Sequence, residues 1–133
     1  MIDSSLQKLL SISSPPLLNA DVPVEANSFK AAGVLASGLA GLLSARNGFF
    51  AFEEALRVFP SRSVPISYGL SEWNSQELWR SEYADLVEGC FFFAEDIFGG
   101  QFCVANGKIC TFDPETGQLA ELANTIEDWA AAV

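Results

Sequence analysis

The sequence predicts an α+β fold, with helices before and after an antiparallel β-meander. Short apolar runs between Cys90 and Phe112, namely FFF, QFCVA and KICTF, are separated by turn signals containing Gly, Asn or acidic residues. Segments with apolar residues at helical spacing lie on both sides of these runs. The chain has 133 residues, half of them apolar, which is enough for a single domain with a sizeable core.

Residues 1–27 predict a short helix followed by an irregular arm. Ser4 or Ser5 is a suitable N-cap for the helix. Its apolar stripe consists of Leu6, Leu9, Leu10 and Ile12. The segment after it, SSPPLLNADVPVEANS, has three prolines and little periodicity, so no regular structure is expected there. We expect the core of the domain to span residues 28–133.

A second helix is expected from an N-cap at Ser28 to about Ala45, where Asn47-Gly48 ends it. Its apolar stretch, AAGVLASGLAGLLSA, is shorter than the roughly 18 residues that a membrane span needs. The N-terminus also lacks the basic and then apolar pattern of a signal peptide. The helix is therefore predicted to belong to a core, and the protein to a cytoplasmic compartment without membrane contact.

The middle of the chain predicts a turn over GFFAFEEA, a short strand at about Leu56 to Phe59 and then a longer helix. Asn74 or Ser75 would cap this helix in a capping-box pattern with Glu77, and Gly89 would end it. Its apolar residues are Trp73, Leu78, Trp79, Tyr83 and Leu86. We expect the three aromatic residues in the core; the alternatives are an interface anchor and an open pocket for a small molecule or sugar.

The meander begins with a strand from Cys90 to Phe93, whose three phenylalanines require cover on both faces or a partner. Asn106-Gly107 predicts a two-residue hairpin loop between Gln101–Ala105 and the next strand, which sets Cys103 opposite Cys110. We expect adjacent free thiols there, although a disulfide is geometrically conceivable.

A second turn, DPETG at residues 113–117, leads to a strand at Gln118–Ala123. Asn124 or Thr125 then caps a closing helix that carries Ile126 and Trp129.

Composition excludes several classes of function. The chain has no histidine, so a Ser-His-Asp or Cys-His triad cannot form within it. Its three cysteines have no CxxC spacing, and no metal or other cofactor is expected. The net charge of −10 disfavours nucleic acid and anionic lipid as partners and favours a basic protein.

Four carboxylates in the meander, Glu95, Asp96, Asp113 and Glu115, are the candidate site residues. Adjacent strand residues point to opposite faces, so Glu95 and Asp96 are not expected to share a proton or a metal. The segment from Asp113 to Glu121 departs from a calcium loop, with Pro114 inside it and Asn124 at the position of the bidentate Glu. We expect these residues to be solvated corners of the meander or a protein-binding surface.

Several segments in order resemble bacterial members of the SUKH superfamily, which is named partly for a yeast regulator of cell-wall synthesis. They are FFAFEEALRVFP, WNSQELW, FFFAEDIFGGQFCV and TFDPETGQLAELANTIEDWA, within residues 28–133. The resemblance implies a twisted, mainly antiparallel sheet with helices packed against it. Relatives usually continue beyond the position of Val133, so a longer native chain is expected.

The resemblance also implies a function without catalysis. Many bacterial members look like immunity proteins that neutralise a cognate toxin, often a nuclease, whereas fungal members act as signalling scaffolds. We therefore expect a protein-binding domain whose acidic surface, including Glu95, Asp96, Asp113 and Glu115, binds a basic toxin. The alternative is a regulatory or scaffold module without a toxin partner.

Overall fold

The computed structural model describes residues 4–19, 21–24 and 26–133, without the side chains of residues 26–28. Its centre is a six-stranded sheet in which each strand is antiparallel to its neighbours and the strand order follows the chain. The strands are β1 (Phe49–Ala51), β2 (Leu56–Val58), β3 (Phe91–Asp96), β4 (Gln101–Ala105), β5 (Lys108–Asp113) and β6 (Gln118–Ala123).

Helices accompany this sheet, so the predicted α+β fold is confirmed. The α-helices of the described residues are α1 (Ser5–Ser11), α2 (Ala36–Ala45), α3 (Leu70–Trp73) and α4 (Ile126–Ala132). Three further segments form 3₁₀ turns: Ala26–Leu35, Arg80–Glu82 and Ala84–Val87.

The two terminal helices begin at predicted caps. Ser4 caps α1 through its side chain, which accepts from the backbone N–H of Gln7, and the Gln7 side chain bonds back to Ser4. Thr125 caps α4 by accepting from the backbone N–H of Asp128. Both caps satisfy backbone donors that a helix cannot satisfy internally.

One face of the sheet carries the main core, which α1, α2 and α4 cover. The Trp129 ring of α4 lies edge-on to Phe93, with centroids 5.1 Å apart, and to Phe102, with centroids 5.9 Å apart. The helices add buried aliphatic residues to this core, including Leu9, Leu39, Leu42, Leu43 and Ile126. A Trp side chain buries roughly 150–250 Å², which stabilises the fold by on the order of 4 kcal/mol.

The opposite face carries a layer of aromatic rings instead of a helix bundle. Trp79 contacts Trp73 and Tyr83, with centroids 5.7 Å apart in both pairs, and lies 4.8 Å from Phe92 of β3. The polar atoms of Trp73, Trp79 and Tyr83 each donate a hydrogen bond to a protein oxygen. These aromatic residues thus pack on the sheet as expected, which removes the basis for an open aromatic pocket.

The three consecutive phenylalanines of β3 are buried because both faces of the sheet are covered. Phe92 points into the aromatic layer, whereas Phe91 and Phe93 point into the main core. A β-bulge at Phe93 opposite β4 interrupts the alternation, so Ala94 also faces the main core. The cover on both faces of the sheet therefore accounts for this apolar run.

The meander follows the predicted register. Asn106 and Gly107 form a two-residue loop with positive φ, and Cys103 lies opposite Cys110. All three cysteines are buried free thiols. The strand predicted at Leu56 is also present, but the residues expected as a turn before it contain strand β1, which was not predicted.

The prediction of a helix from Asn74 to Gly89 is wrong. The chain forms one helical turn, α3, and then turns and short 3₁₀ segments. The Asn74 side chain donates to the carbonyls of Leu70 (2.9 Å) and Phe92 (2.8 Å), and it accepts from the backbone N–H of Phe92 (2.7 Å). Asn74 therefore ends α3 and ties the chain to β3, so it cannot cap a following helix.

The helix predicted from Ser28 to Ala45 forms only in its second half. The chain kinks at Gly33, whose φ of +59° and ψ of −124° suit glycine alone, and α2 begins at Ala36. The end is as predicted, because α2 stops at Ala45, before Asn47-Gly48. The Ser28 cap lies outside the described side chains. No helix of the described residues is both long enough and apolar enough to cross a bilayer.

Two glycine substitutions should have opposite effects. Gly107→Ala should lower the free energy of unfolding by about 1–2 kcal/mol, because φ is +76° there and an L-residue is strained. Gly41→Ala, where the added Cβ meets no atom within 4 Å in α2, should raise it by up to about 1 kcal/mol. Urea unfolding measures the free energy of unfolding of both variants. A Gly107→Ala variant that is as stable as Gly41→Ala would contradict the assigned hairpin loop.

Asn74→Ala should lower the free energy of unfolding by about 3 kcal/mol, because both backbone groups of the buried Phe92 would lose their side-chain partner. Asn124→Ala is the matched control; Asn124 is exposed, so a change within about 0.5 kcal/mol is expected. Thermal or urea unfolding measures both, and a neutral Asn74→Ala would mean that Asn74 does not tie α3 to β3.

Candidate functional site

Three turns lie at one end of the sheet and form the candidate site. In a meander, alternate turns share an end, so the β1–β2, β3–β4 and β5–β6 turns lie together, opposite Asn106-Gly107. We call the residues 52–55, 96–100 and 113–117 the hairpin-tip surface. It contains five of the chain's 17 acidic residues, namely Glu53, Glu54, Asp96, Asp113 and Glu115.

The β3–β4 turn is built around the Asp96 carboxylate. Its Oδ1 accepts from the backbone N–H of Phe98 (2.8 Å) and of Gly100 (2.9 Å). A Cβ at position 100 would lie 2.6 Å from Asp96 Oδ2, so a larger residue there would displace the carboxylate that builds the turn. The turn holds Ile97 and Phe98 outward, with 67% and 92% of each residue exposed.

The β5–β6 turn uses Asp113 in the same way. Its Oδ1 accepts from the backbone N–H of Glu115 (2.9 Å), and its carbonyl accepts from Gly117 (2.7 Å). The hydroxyl of Tyr83 donates to the carbonyl of Pro114 (2.9 Å), which ties this turn to the aromatic layer. The Glu115 side chain is left exposed at the corner.

The β1–β2 turn has an unusual backbone. Phe52, Glu53 and Glu54 all have positive φ, at 54°, 56° and 74°. The carbonyl of Ala55 accepts from the backbone N–H of Ile97 (2.9 Å), so this turn is joined to the β3–β4 turn. Glu53 and Glu54 are exposed beside it.

A shallow concave surface of about 350 Å³ lies between the β3–β4 and β5–β6 turns. Asp96, Asp113 and Glu115 line it, together with Phe98 and Pro114. Three of the four predicted site residues therefore share one surface. Its floor includes Phe102, which contacts Trp129 of α4.

Glu95, the fourth predicted residue, points to the aromatic face and is not brought together with the others. Its carboxylate pairs with Arg57 and accepts from Nε2 of Gln101 (2.8 Å). The Arg57 guanidinium lies 4.6 Å from the Phe59 ring and 5.6 Å from the Trp73 ring. Glu95 is thus a half-buried, neutralised part of the structure, consistent with the expectation that it and Asp96 do not act as a pair.

All charged side chains of the hairpin-tip surface are negative. Among the described residues, the ion pairs are Arg57–Glu95 and Lys108–Glu121. The five carboxylates of the surface therefore have no cationic partner there. Within the described ranges, no three Cys, Asp or Glu side chains are arranged to hold a metal ion. The arrangement presents negative charge to the solvent.

The sequence did not single out four residues of this surface: Glu53, Glu54, Ile97 and Phe98. The sequence predicts a turn that includes Glu53 and Glu54, but it does not place that turn at an end of the sheet, because strand β1 is not predicted. A signal was available for Phe98, since an aromatic residue directly before Gly99-Gly100 in a tight hairpin turn has no strand neighbour to cover it.

The three cysteine thiols form a second group of side chains that can react chemically. A hydrogen bond from Cys103, aided by the Arg80 guanidinium, lowers the pKa of Cys90 to about 7, and the same hydrogen bond raises the pKa of Cys103. Burial raises the pKa of Cys110. Arg80 also donates to the carbonyls of Cys90 (2.7 Å) and Val87 (2.8 Å). The aromatic layer covers these three thiols, so they contribute to the packing of the core beneath it.

The chain matches no protein-family model, no curated protein and no solved structure. These comparisons do not test the resemblance to the SUKH superfamily, so it stays a prediction from the sequence segments quoted above. The geometry of the hairpin-tip surface is a separate basis for a functional inference.

Cys90 should be the first thiol that iodoacetamide alkylates in the folded protein. It has the lowest pKa of the three and the greatest exposure, at 7%. Its rate should rise as the pH passes through about 7, because only the thiolate reacts. Mass spectrometry of peptides after brief labelling measures this, with fully unfolded protein as the control, in which the three rates converge. Earlier labelling of Cys110 would contradict the expectation.

Proposed function

We propose that this protein is a non-enzymatic, cytoplasmic binding domain that docks on a basic protein through its hairpin-tip surface, most specifically as an immunity protein that neutralises a cognate toxin. The observation that carries the proposal is the set of five carboxylates that form no ion pair among the described residues and lie on three turns at one end of the sheet. The resemblance of residues 28–133 to bacterial SUKH members supports the same function.

The hydrogen bonds within the turns of this surface support a docking function rather than a catalytic one. Asp96 and Asp113 use one carboxylate oxygen to hold their own turns, which fixes the backbone and leaves the charge in place. Little conformational entropy is then lost when a partner binds. The chain also has no histidine to serve as a general base.

Inhibition would follow from occupation of the partner's own cationic site. A nuclease binds polyanions through Lys and Arg, and an acidic surface with matching spacing competes for those residues. Unpaired negative charge also accelerates encounter with a basic protein at low ionic strength. The proposed mechanism is therefore fast association followed by exclusion of the toxin's substrate.

A scaffold or regulatory module is the second candidate, and one observation favours it. The loop at residues 60–68 leaves Ile66 and Tyr68 exposed beside a separate concave surface of about 460 Å³. A scaffold needs two contact surfaces, and this loop would be the second. A toxin gene next to the gene for this protein favours immunity, whereas its absence favours the module.

Charge reversal at the hairpin-tip surface should slow association with the partner. The test variant is Glu53→Lys with Glu115→Lys, and the matched control is Glu77→Lys with Glu88→Lys. All four glutamates are exposed, and both variants raise the net charge from −10 by the same amount. We expect about a tenfold lower association rate for the test variant and a change of less than about twofold for the control.

The measurement is surface plasmon resonance against the protein captured from the source cell by the wild-type chain, at low and at physiological salt. Association of the wild type should fall steeply as salt increases, because the Debye length shortens from about 30 to about 8 Å. Equal slowing by the two variants would show that net charge alone acts. Association that is indifferent to salt and to both variants would overturn the proposed function.

A further inference from the structure

We propose that Phe98, supported by Ile97, is the anchor of the docking surface, and that it enters an apolar pocket rimmed by Arg or Lys side chains on a basic protein. This inference rests on the proposed function, because it names the contact and the kind of partner for the same surface. It starts from the exposure of Phe98, which at 92% is the highest among the large hydrophobic residues of the described chain.

The fold does not need an aromatic side chain at this position. The turn is made by the Asp96 carboxylate and by Gly99 and Gly100, whose contacts involve no atom of the Phe98 ring. Seven other phenylalanines are buried, including Phe91, Phe92 and Phe93, and the next most exposed, Phe52, is 42% exposed. An exposed ring at a site that fixes only the backbone is typical of a contact residue.

The ring is also presented on a rigid support. Besides the two bonds to Asp96 Oδ1, the backbone N–H of Gly99 donates to the Asp96 carbonyl (3.1 Å), and Ile97 donates to Ala55 of the neighbouring turn (2.9 Å). A preorganised aromatic side chain loses little entropy when it is buried by a partner, which is why such residues dominate binding hot spots.

Charge defines the chemistry of the partner. Asp96, Asp113 and Glu115 line the concave surface that Phe98 borders, and Glu53 and Glu54 lie on the turn at its other side. A central apolar residue within a charged rim is the usual anatomy of a protein interface. Arg side chains on the partner would satisfy both parts, because they pair with carboxylates and also stack on aromatic rings.

The same charges disfavour the other occupants of an exposed aromatic patch. Anionic lipid and nucleic acid are repelled by carboxylates on both sides of the ring. A second copy of this chain would bring two acidic surfaces together, which costs free energy through like-charge repulsion. The observations therefore favour a basic protein.

The experiment compares Phe98→Ala with Val34→Ala, a control that shortens an exposed apolar residue beside Gly107, at the opposite end of the sheet. The probe is the protein that photo-cross-links to p-benzoylphenylalanine placed at position 98 in the source cell, purified and then bound in vitro. Both alanine variants should unfold at the wild-type temperature. Phe98→Ala should dissociate at least about 30-fold faster with an association rate changed by less than about twofold, whereas Val34→Ala should be unchanged in both.

The outcomes separate this inference from the proposed function. If the charge-reversal variant slows association while Phe98→Ala dissociates like the wild type, the docking function stands and Phe98 is not its anchor. Cross-links from position 98 to lipid, to nucleic acid or to a second copy of the chain, or no cross-link at all, would overturn the inference. A partner without an Arg- or Lys-rimmed apolar pocket at the cross-linked position would also overturn it.

Discussion

Strand β3 is buried on both faces, and the rest of the structure is arranged to meet that constraint. Phe91 and Phe93 require the helical layer built around Trp129, and Phe92 requires the aromatic layer on the other side. Asn74 joins the second layer to the strand by bonding both backbone groups of Phe92. Removing either layer would expose phenylalanine rings to water, so both layers must form together.

The bulge in β3 decides which carboxylates face the solvent at the end of the sheet. The extra residue, Phe93, shifts the alternation so that Glu95 points to the aromatic face, where Arg57 neutralises it. Asp96, one residue later, ends the strand and builds the turn that displays Phe98. The placement of one residue in a buried strand therefore shapes both the charge and the exposed apolar residue of the hairpin-tip surface.

Hydrogen bonds connect the hairpin-tip surface to the core. Tyr83 belongs to the aromatic layer and holds the β5–β6 turn through Pro114, while Ala55 holds the β3–β4 turn through Ile97. These bonds transmit the rigidity of the packed sheet to turns that would otherwise fluctuate in solvent. Rigid presentation of charge and of one aromatic ring suits recognition of another protein.

Interactions among neighbouring residues made several local features of this structure predictable from the sequence alone. The caps of α1 and α4, the Asn106-Gly107 register and the turn at Asp113 depend on hydrogen bonds and φ values of neighbouring residues, so they were predictable. The chain from Asn74 to Gly89, strand β1 and the role of Glu95 were decided by tertiary structure. Asn74 bonds Phe92, 18 residues away, and Arg57 pairs with Glu95, 38 residues away. Only the folded sheet brings such groups together, and their bonds outweigh the weak helical preference of the local sequence.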